Sequence, residues 1–212
     1  KRSYGQSVVP RYRLDRANYI VTVDTDLLGT FLSPVEHAKE FTARRDPQGE
    51  MNKLVAFESM LSLTGSNADE RYRIAPSDQL TVVMGLIGEL LKSGRAGSSA
   101  RQAVEKFSAR LQGLGLEDGV LAKVADGLWE NRGRSLVVAG GLATQSEKAV
   151  ELQIAVNYLN NILGNDGKTI DYDRTPNESY QGEADDVARL VRDVESGRVK
   201  AAIIHGTNPV YS

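Results

Sequence analysis

Apolar positions in this chain gather into short continuous runs separated by longer, capped, amphipathic stretches. Residues 17–24 (ANYIVTVD), 54–57 (LVAF), 136–139 (LVVA) and 201–204 (AAII) are the runs. Runs of that length without polar alternation suit strands covered on both faces. Between them lie helix signals. Ser33-Pro34-Val35-Glu36 supplies an N-cap, a proline at the first helical position and a capping glutamate for a helix to about Arg45. Ser77 caps a helix over 78–91, and two more are expected over 99–111 and about 117–131, with glycine-containing joints between them. Thr144-x-x-Glu147 is a capping box, with Ser146 an alternative cap, for a long helix that Gly164 ends. That helix is apolar on most sides, from Ala149 through Leu152, Val156 and Leu159 to Leu163, so it is expected to be covered nearly all round. A last helix is expected over about 184–195, ending at Gly197.

Alternation of strand and helix predicts an α/β fold: a parallel sheet of about four strands with helices on both faces and a helical insertion at about 77–132. The expected organisation is a single α/β domain over 1–212, with 1–16 as lead-in, 60–76 as a long polar loop and 165–182 as an acidic surface excursion. The chain opens at Lys1 without a methionine and stops just after the run at 201–204, which reads as a fragment of a longer polypeptide.

Composition narrows the chemistry. With no cysteine, the chain itself supplies neither disulfides nor thiolate or iron–sulfur ligands, and His37 and His205 alone do not make a three-histidine zinc site. A net charge of -2 gives no reason to expect nucleic acid. No apolar run approaches the ~18 residues of a membrane span, so no direct membrane insertion is expected.

In a parallel sheet, ligands sit outside the carboxyl ends of the strands. None of the predicted ends carries G-x-G-x-x-G, a Walker lysine loop or G-x-S-x-G. The first end offers Asp24 and Asp26, which are either an acid/base pair or hydrogen-bond acceptors for loop amides and a helix cap. Gly140-Gly141 either binds an anion at a helix start or lets the strand turn tightly. Asp69, Glu70, Arg71 and Arg73 read as a salt-bridging cluster. His205 reads as a structural histidine at the end of a buried strand, and His37 as solvent-facing. Trp129 reads as core packing or an interface.

Taken in order, several stretches resemble the molybdopterin oxidoreductase superfamily. These are Asp15-x-x-Asn18-Tyr19-Ile20-Val21 with TVDTD, Ala68-Asp69 with Arg73-Ile74-Ala75-Pro76-Ser77-Asp78, Leu136 to Gly141, Tyr158-Leu159-Asn160 with Gly164-Asn165-Asp166-Gly167, and Gly206-Thr207-Asn208-Pro209. The first loop departs from the family in carrying Asp24-Thr25-Asp26 where glycine and asparagine are expected, and Ser77-Asp78-Gln79 replaces G-T-D. Phe57-Glu58-Ser59 through Thr64-Gly65-Ser66-Asn67-Ala68-Asp69-Glu70-Arg71 is similar to one branch, the molybdopterin-enzyme-like domain of the large iron–sulfur subunit of alternative complex III and the related quinone reductase complex.

That resemblance implies a cofactor-free scaffold in a membrane-bound quinol:electron acceptor oxidoreductase of respiratory or photosynthetic electron transfer. It implies no catalytic residue and no metal site in this segment, with iron–sulfur clusters elsewhere in the parent chain. It also implies the periplasmic side of a bacterial inner membrane, with c-type cytochrome and integral-membrane quinol-binding subunits as partners. The alternative is a true molybdopterin guanine dinucleotide-binding oxidoreductase domain, whose pocket Asp24, Gly140, Gly141, Ser146, Gly206 and Asn208 would line. A further alternative is an unrelated Rossmann-like domain for a small ligand.

Overall fold

The computed structural model describes residues 9–173 and 184–206, which fall in two compact units divided after Pro176. In the first unit β1 (Arg11–Tyr12) precedes β2 (Tyr19–Val23), α1 (Pro34–Thr42), β3 (Lys53–Glu58), the one-turn α2 (Leu63–Ser66) and β4 (Glu70–Arg73). Then come α3 (Gln79–Lys92), α4 (Arg101–Glu105), α5 (Ser108–Gln112) and α6 (Val120–Glu130), followed by β5 (Ser135–Ala139), α7 (Ala149–Ile162) and β6 (Ile170–Asp171). The second unit holds α8 (Ala184–Glu195).

Four strands form one parallel sheet in the order β4-β3-β2-β5, and β1 pairs antiparallel with β6 in a separate ribbon. The α/β class, the helical insertion between strands and the flanking helices all match the expectation. The central register sets Val21 beside both Val55 and Val137. Because side chains alternate across a strand, one face presents Tyr19, Val21, Val23, Val55, Phe57, Val137 and Ala139 to α3, α6 and α7. The other presents Ile20, Leu54, Leu136 and Val138 to Leu14, Leu27, Phe41 and Ile170. Both faces are dry, which is why these strands read as unbroken apolar runs.

The sheet's two outer strands differ. β4 is short, charged and only half buried, with Tyr72 stacked 5.2 Å from Phe57 on the inner side. β5 is fully buried, and side chains close its free edge. Thr169 donates to the Ser135 carbonyl at 2.7 Å. The Asn160 amide accepts from Val137 N–H at 3.0 Å and donates to its carbonyl at 2.7 Å. Gln153 donates to the Ala139 carbonyl. Asn165 anchors this row by donating to Asn160 Oδ1 at 2.9 Å and accepting from Ser135 Oγ at 3.1 Å. Four outward-facing backbone groups in that row, the carbonyls of Ser135, Val137 and Ala139 and the Val137 N–H, thus find the partner that burial requires.

Several expectations are corrected. No strand forms at 201–204: those residues lie in the second unit, exposed and without a ladder. Aliphatic character alone does not make a strand without a neighbour to bond, and the fourth strand is instead Glu70–Arg73, from within the polar loop. His205 is accordingly exposed. His37 is buried, its Nδ1 donating to the Leu27 carbonyl at 3.1 Å, and burial holds its pKa below the usual imidazole value. The 99–111 helix breaks into α4 and α5 at Lys106–Phe107. The long helix starts later than its capping box, at Ala149, and leaves Val150 and Ile154 exposed. The lead-in contributes β1 and the buried Leu14, and the acidic excursion begins with buried Asn165, Thr169 and Ile170. The mixed-charge cluster does form salt bridges, but with other elements of the first unit rather than within the loop: Arg45–Asp69, Lys53–Glu70, Lys123–Glu70 and Arg71–Glu58. Trp129 is half-buried, with the Arg95 and Arg132 guanidinium groups 5.7 and 5.0 Å from its ring centre. In the second unit, α8 exposes Val187, Leu190, Val191 and Val194, and the expected stop falls at Gly197, at φ +70°.

Candidate functional site

The strand order fixes where a site belongs. The chain moves outward from β2 through β3 to β4, then returns to place β5 on the other side of β2. At such a reversal the loops leaving the carboxyl ends diverge and open a crevice. That crevice is present, with a volume of about 280 Å³, and is lined from the β2, β3 and β5 loops, including Asp24, Asp26, Phe31, Glu58, Gly140 and Gly141.

Asp24 is the first residue past β2 and has a left-handed backbone at φ +47°, a conformation aspartate tolerates better than most side chains. Its N–H still bonds the Phe57 carbonyl at 2.8 Å, so the strand ladder continues through the bend. Its buried carboxylate accepts from Ser59 N–H at 2.6 Å, Ser59 Oγ at 2.9 Å and Gln79 Nε2 at 2.7 Å. Gln79, at the start of α3, donates also to the Ala143 carbonyl at 2.7 Å. Asp24 and Gln79 together thus tie the β2, β3 and β5 loops to the inserted helices.

Two neighbouring acids are fastened in the same manner. Asp26 accepts from the N–H and hydroxyl of Thr64 at 3.0 and 2.8 Å, while Thr64 Oγ1 accepts from Leu28 N–H at 2.9 Å. Glu58 is buried, bonds Arg71, and accepts from Ser62 Oγ at 2.6 Å. Ser62 in turn caps α2 through Gly65 N–H at 3.0 Å. All three carboxylates face amide or hydroxyl donors of the chain itself, the hydrogen-bonding role weighed for Asp24 and Asp26.

The glycines of this rim are just as fully used. A Cβ on Gly140 would lie 2.5 Å from the Phe31 ring, one on Gly65 1.8 Å from Glu58, and one on Gly29 2.0 Å from Asp26. Where a phosphate-binding turn keeps glycines so that backbone can approach a ligand, here the chain's own side chains occupy those positions. Gly141 alone is bare for conformational reasons, at φ +87° and ψ −167°, a region open essentially only to glycine.

Of the six residues proposed to line a pterin pocket, the fold brings together Asp24, Gly140 and Gly141. Ser146 lines a separate cleft of about 260 Å³ with Ser77 and Gln79. Gly206 belongs to the second unit, where it is exposed, and Asn208 lies outside the described residues. Sequence reasoning missed Phe31, Ser59, Thr64 and Gln79, which hold the rim. Of these bonds, only the Ser62-x-x-Gly65 cap had a local signal.

The fit to a pterin dinucleotide is poor. Clefts holding drug-sized ligands run from about 300 to 1,000 Å³, and this one falls below that range before any dinucleotide is considered. Among the described residues, no lysine or arginine lines it, whereas three carboxylates do. Like charges about 4 Å apart oppose one another by about 4 kcal/mol at an effective dielectric near 20. No protein-family model and no curated protein sequence matches the chain.

Proposed function

We propose that this chain is a cofactor-free scaffold portion of a molybdopterin-oxidoreductase-like iron–sulfur subunit, of the kind found in alternative complex III. Its work there is to hold neighbouring subunits of a membrane-bound quinol-oxidising complex in place beside an electron-transfer path. The clusters would sit on cysteines elsewhere in the parent chain, and c-type cytochrome and integral-membrane quinol-binding subunits would be the neighbours, on the periplasmic side of a bacterial membrane.

The observation that carries this reading is the filled rim. Phe31 lies on Gly140, Glu58 on Gly65 and Asp26 on Gly29, and each rim carboxylate is spent on loop donors. A binding rim converted in this way into an internal brace keeps a family outline while losing room and charge for a pyrophosphate.

Metal and pterin analysis of the purified full-length parent protein tests the proposal. The expected result is iron without molybdenum or tungsten, and no fluorescent oxidised pterin on acid release. Stoichiometric molybdenum or tungsten with released pterin would overturn it and favour the dinucleotide-binding alternative.

A further inference from the structure

At the opposite, amino-terminal end of the strands lies a further cleft, of about 420 Å³, whose charge is reversed. Arg16, Arg44, Arg134 and Lys168 line it from four separate segments. Their convergence follows from the sheet register: Tyr19 pairs with Ser135, so the residues just before β2 and β5 are neighbours, and Asn18 N–H bonds the Arg134 carbonyl at 2.6 Å. Arg16 reaches the Lys168 carbonyl at 3.5 Å. Arg44 is half-buried and held by Asn18 Oδ1 at 2.6 Å. The Lys168 ammonium lies over Gly133, whose missing Cβ would be 2.7 Å from it.

Two carboxylates face these four cations. Asp15 is taken by Arg13 through two bonds of 3.0 and 2.6 Å. Glu50, largely exposed, is shared between Arg134 at 3.3 Å and Arg44 at 3.8 Å. Among the described residues, Arg16 and Lys168 form no salt bridge, so the cleft keeps a surplus of positive charge around one concavity. Guanidinium groups present forked donors that match phosphate oxygens, and an ammonium supplies a compact point charge beside them. The volume exceeds what one phosphate needs.

We propose that this cleft binds a pyrophosphate group, either as the free anion or as the diphosphate of a nucleotide. The site is independent of the scaffold reading, because it lies away from the filled rim and shares no residue with it.

Titration of the full-length chain with inorganic pyrophosphate and with ADP at low ionic strength, followed by amide chemical shifts, tests the site. The expected result is saturable shifts at Gly133, Arg134, Gly167 and Lys168, weakening with added salt. Tighter binding of ADP would identify the nucleotide as the source, and tighter binding of pyrophosphate the free anion. The double variant Arg16→Gln/Lys168→Gln should weaken binding roughly tenfold or more while leaving the melting temperature unchanged. Lys92→Gln, at a lysine paired with Glu89 and outside the cleft lining, should have no effect. Absence of saturable shifts, unchanged affinity in the double variant, or equal binding of citrate would overturn the proposal.

Discussion

The Asn160 side chain stands in for a fifth strand at Val137: its amide oxygen accepts the Val137 N–H at 3.0 Å and its amide nitrogen donates to the Val137 carbonyl at 2.7 Å. Both partners are fully buried, so neither has water to fall back on. Asn160→Leu should destabilise the protein by about 3 kcal/mol, the cost of leaving two buried backbone groups unpaired. Asn161→Ala, one position along on the exposed side, should change stability by no more than about 0.5 kcal/mol. Urea unfolding of the two variants decides the matter, and equal effects would refute the edge-closing role.

Asp24 holds the β3 loop at Ser59 and the start of α3 at Gln79, and its removal should be felt at both. Asp24→Ala leaves the Ser59 N–H and the Gln79 amide without their acceptor and should cost about 2 kcal/mol. Asp24→Asn keeps one acceptor and tolerates the left-handed backbone, so it should cost roughly half as much. Hydrogen exchange at the Ser59 amide should accelerate in the alanine variant beyond any global loss of stability.

Gly65 and Glu58 make a steric pair. Gly65→Ala drives a methyl group into the Glu58 carboxylate and should cost about 2 kcal/mol. In Gly65→Ala/Glu58→Ala the collision is gone, so the double variant should be more stable than the two single effects summed. Thermal or denaturant unfolding of the complete double-mutant cycle measures that coupling, and strict additivity would contradict the packing described.

Glu70 gives the protein an acid-sensitive element. Burial raises its pKa, but hydrogen bonds from Lys123, Lys53 and Tyr72 outweigh that and carry it from the ordinary 4.5 down to about 2. The folded state therefore binds its proton less readily than the unfolded chain. The resulting stabilisation is complete above pH 4.5 and is lost as the pH falls toward about 2. Glu70→Gln should be less stable than the parent at neutral pH, and the gap should close across that window. NMR titration should place the Glu70 carboxyl near the low value, and Lys123→Met should move it upward.

Legibility in the sequence followed burial. The runs behind β2, β3 and β5 announced themselves because both faces of those strands are dry. β4 did not, because Glu70-Arg71-Tyr72-Arg73 is a charged outer strand whose pairing with β3 rests on neighbours distant in sequence. The same blindness worked in reverse at 201–204, where aliphatic residues mimic a strand with no partner. At the rim, Asp24, Gly140 and Gly141 were legible because a strand followed by glycine or acid marks a loop. Their fastening to Ser59, Gln79 and Phe31 was not, since those contacts span 35, 55 and more than 100 residues. His37 looked solvent-facing because a capped first turn usually is, yet the Leu27 carbonyl draws it inside.

The row of amides and hydroxyls along β5 also limits how this molecule can grow. With Thr169, Asn160 and Gln153 already engaged there, an incoming peptide meets the Ser135, Val137 and Ala139 carbonyls and the Val137 N–H already bonded on that flank. Extension of the sheet by strand addition, whether from another copy or from a misfolded neighbour, is blocked on that side. Any companion arriving there must meet the protein through helices and side chains.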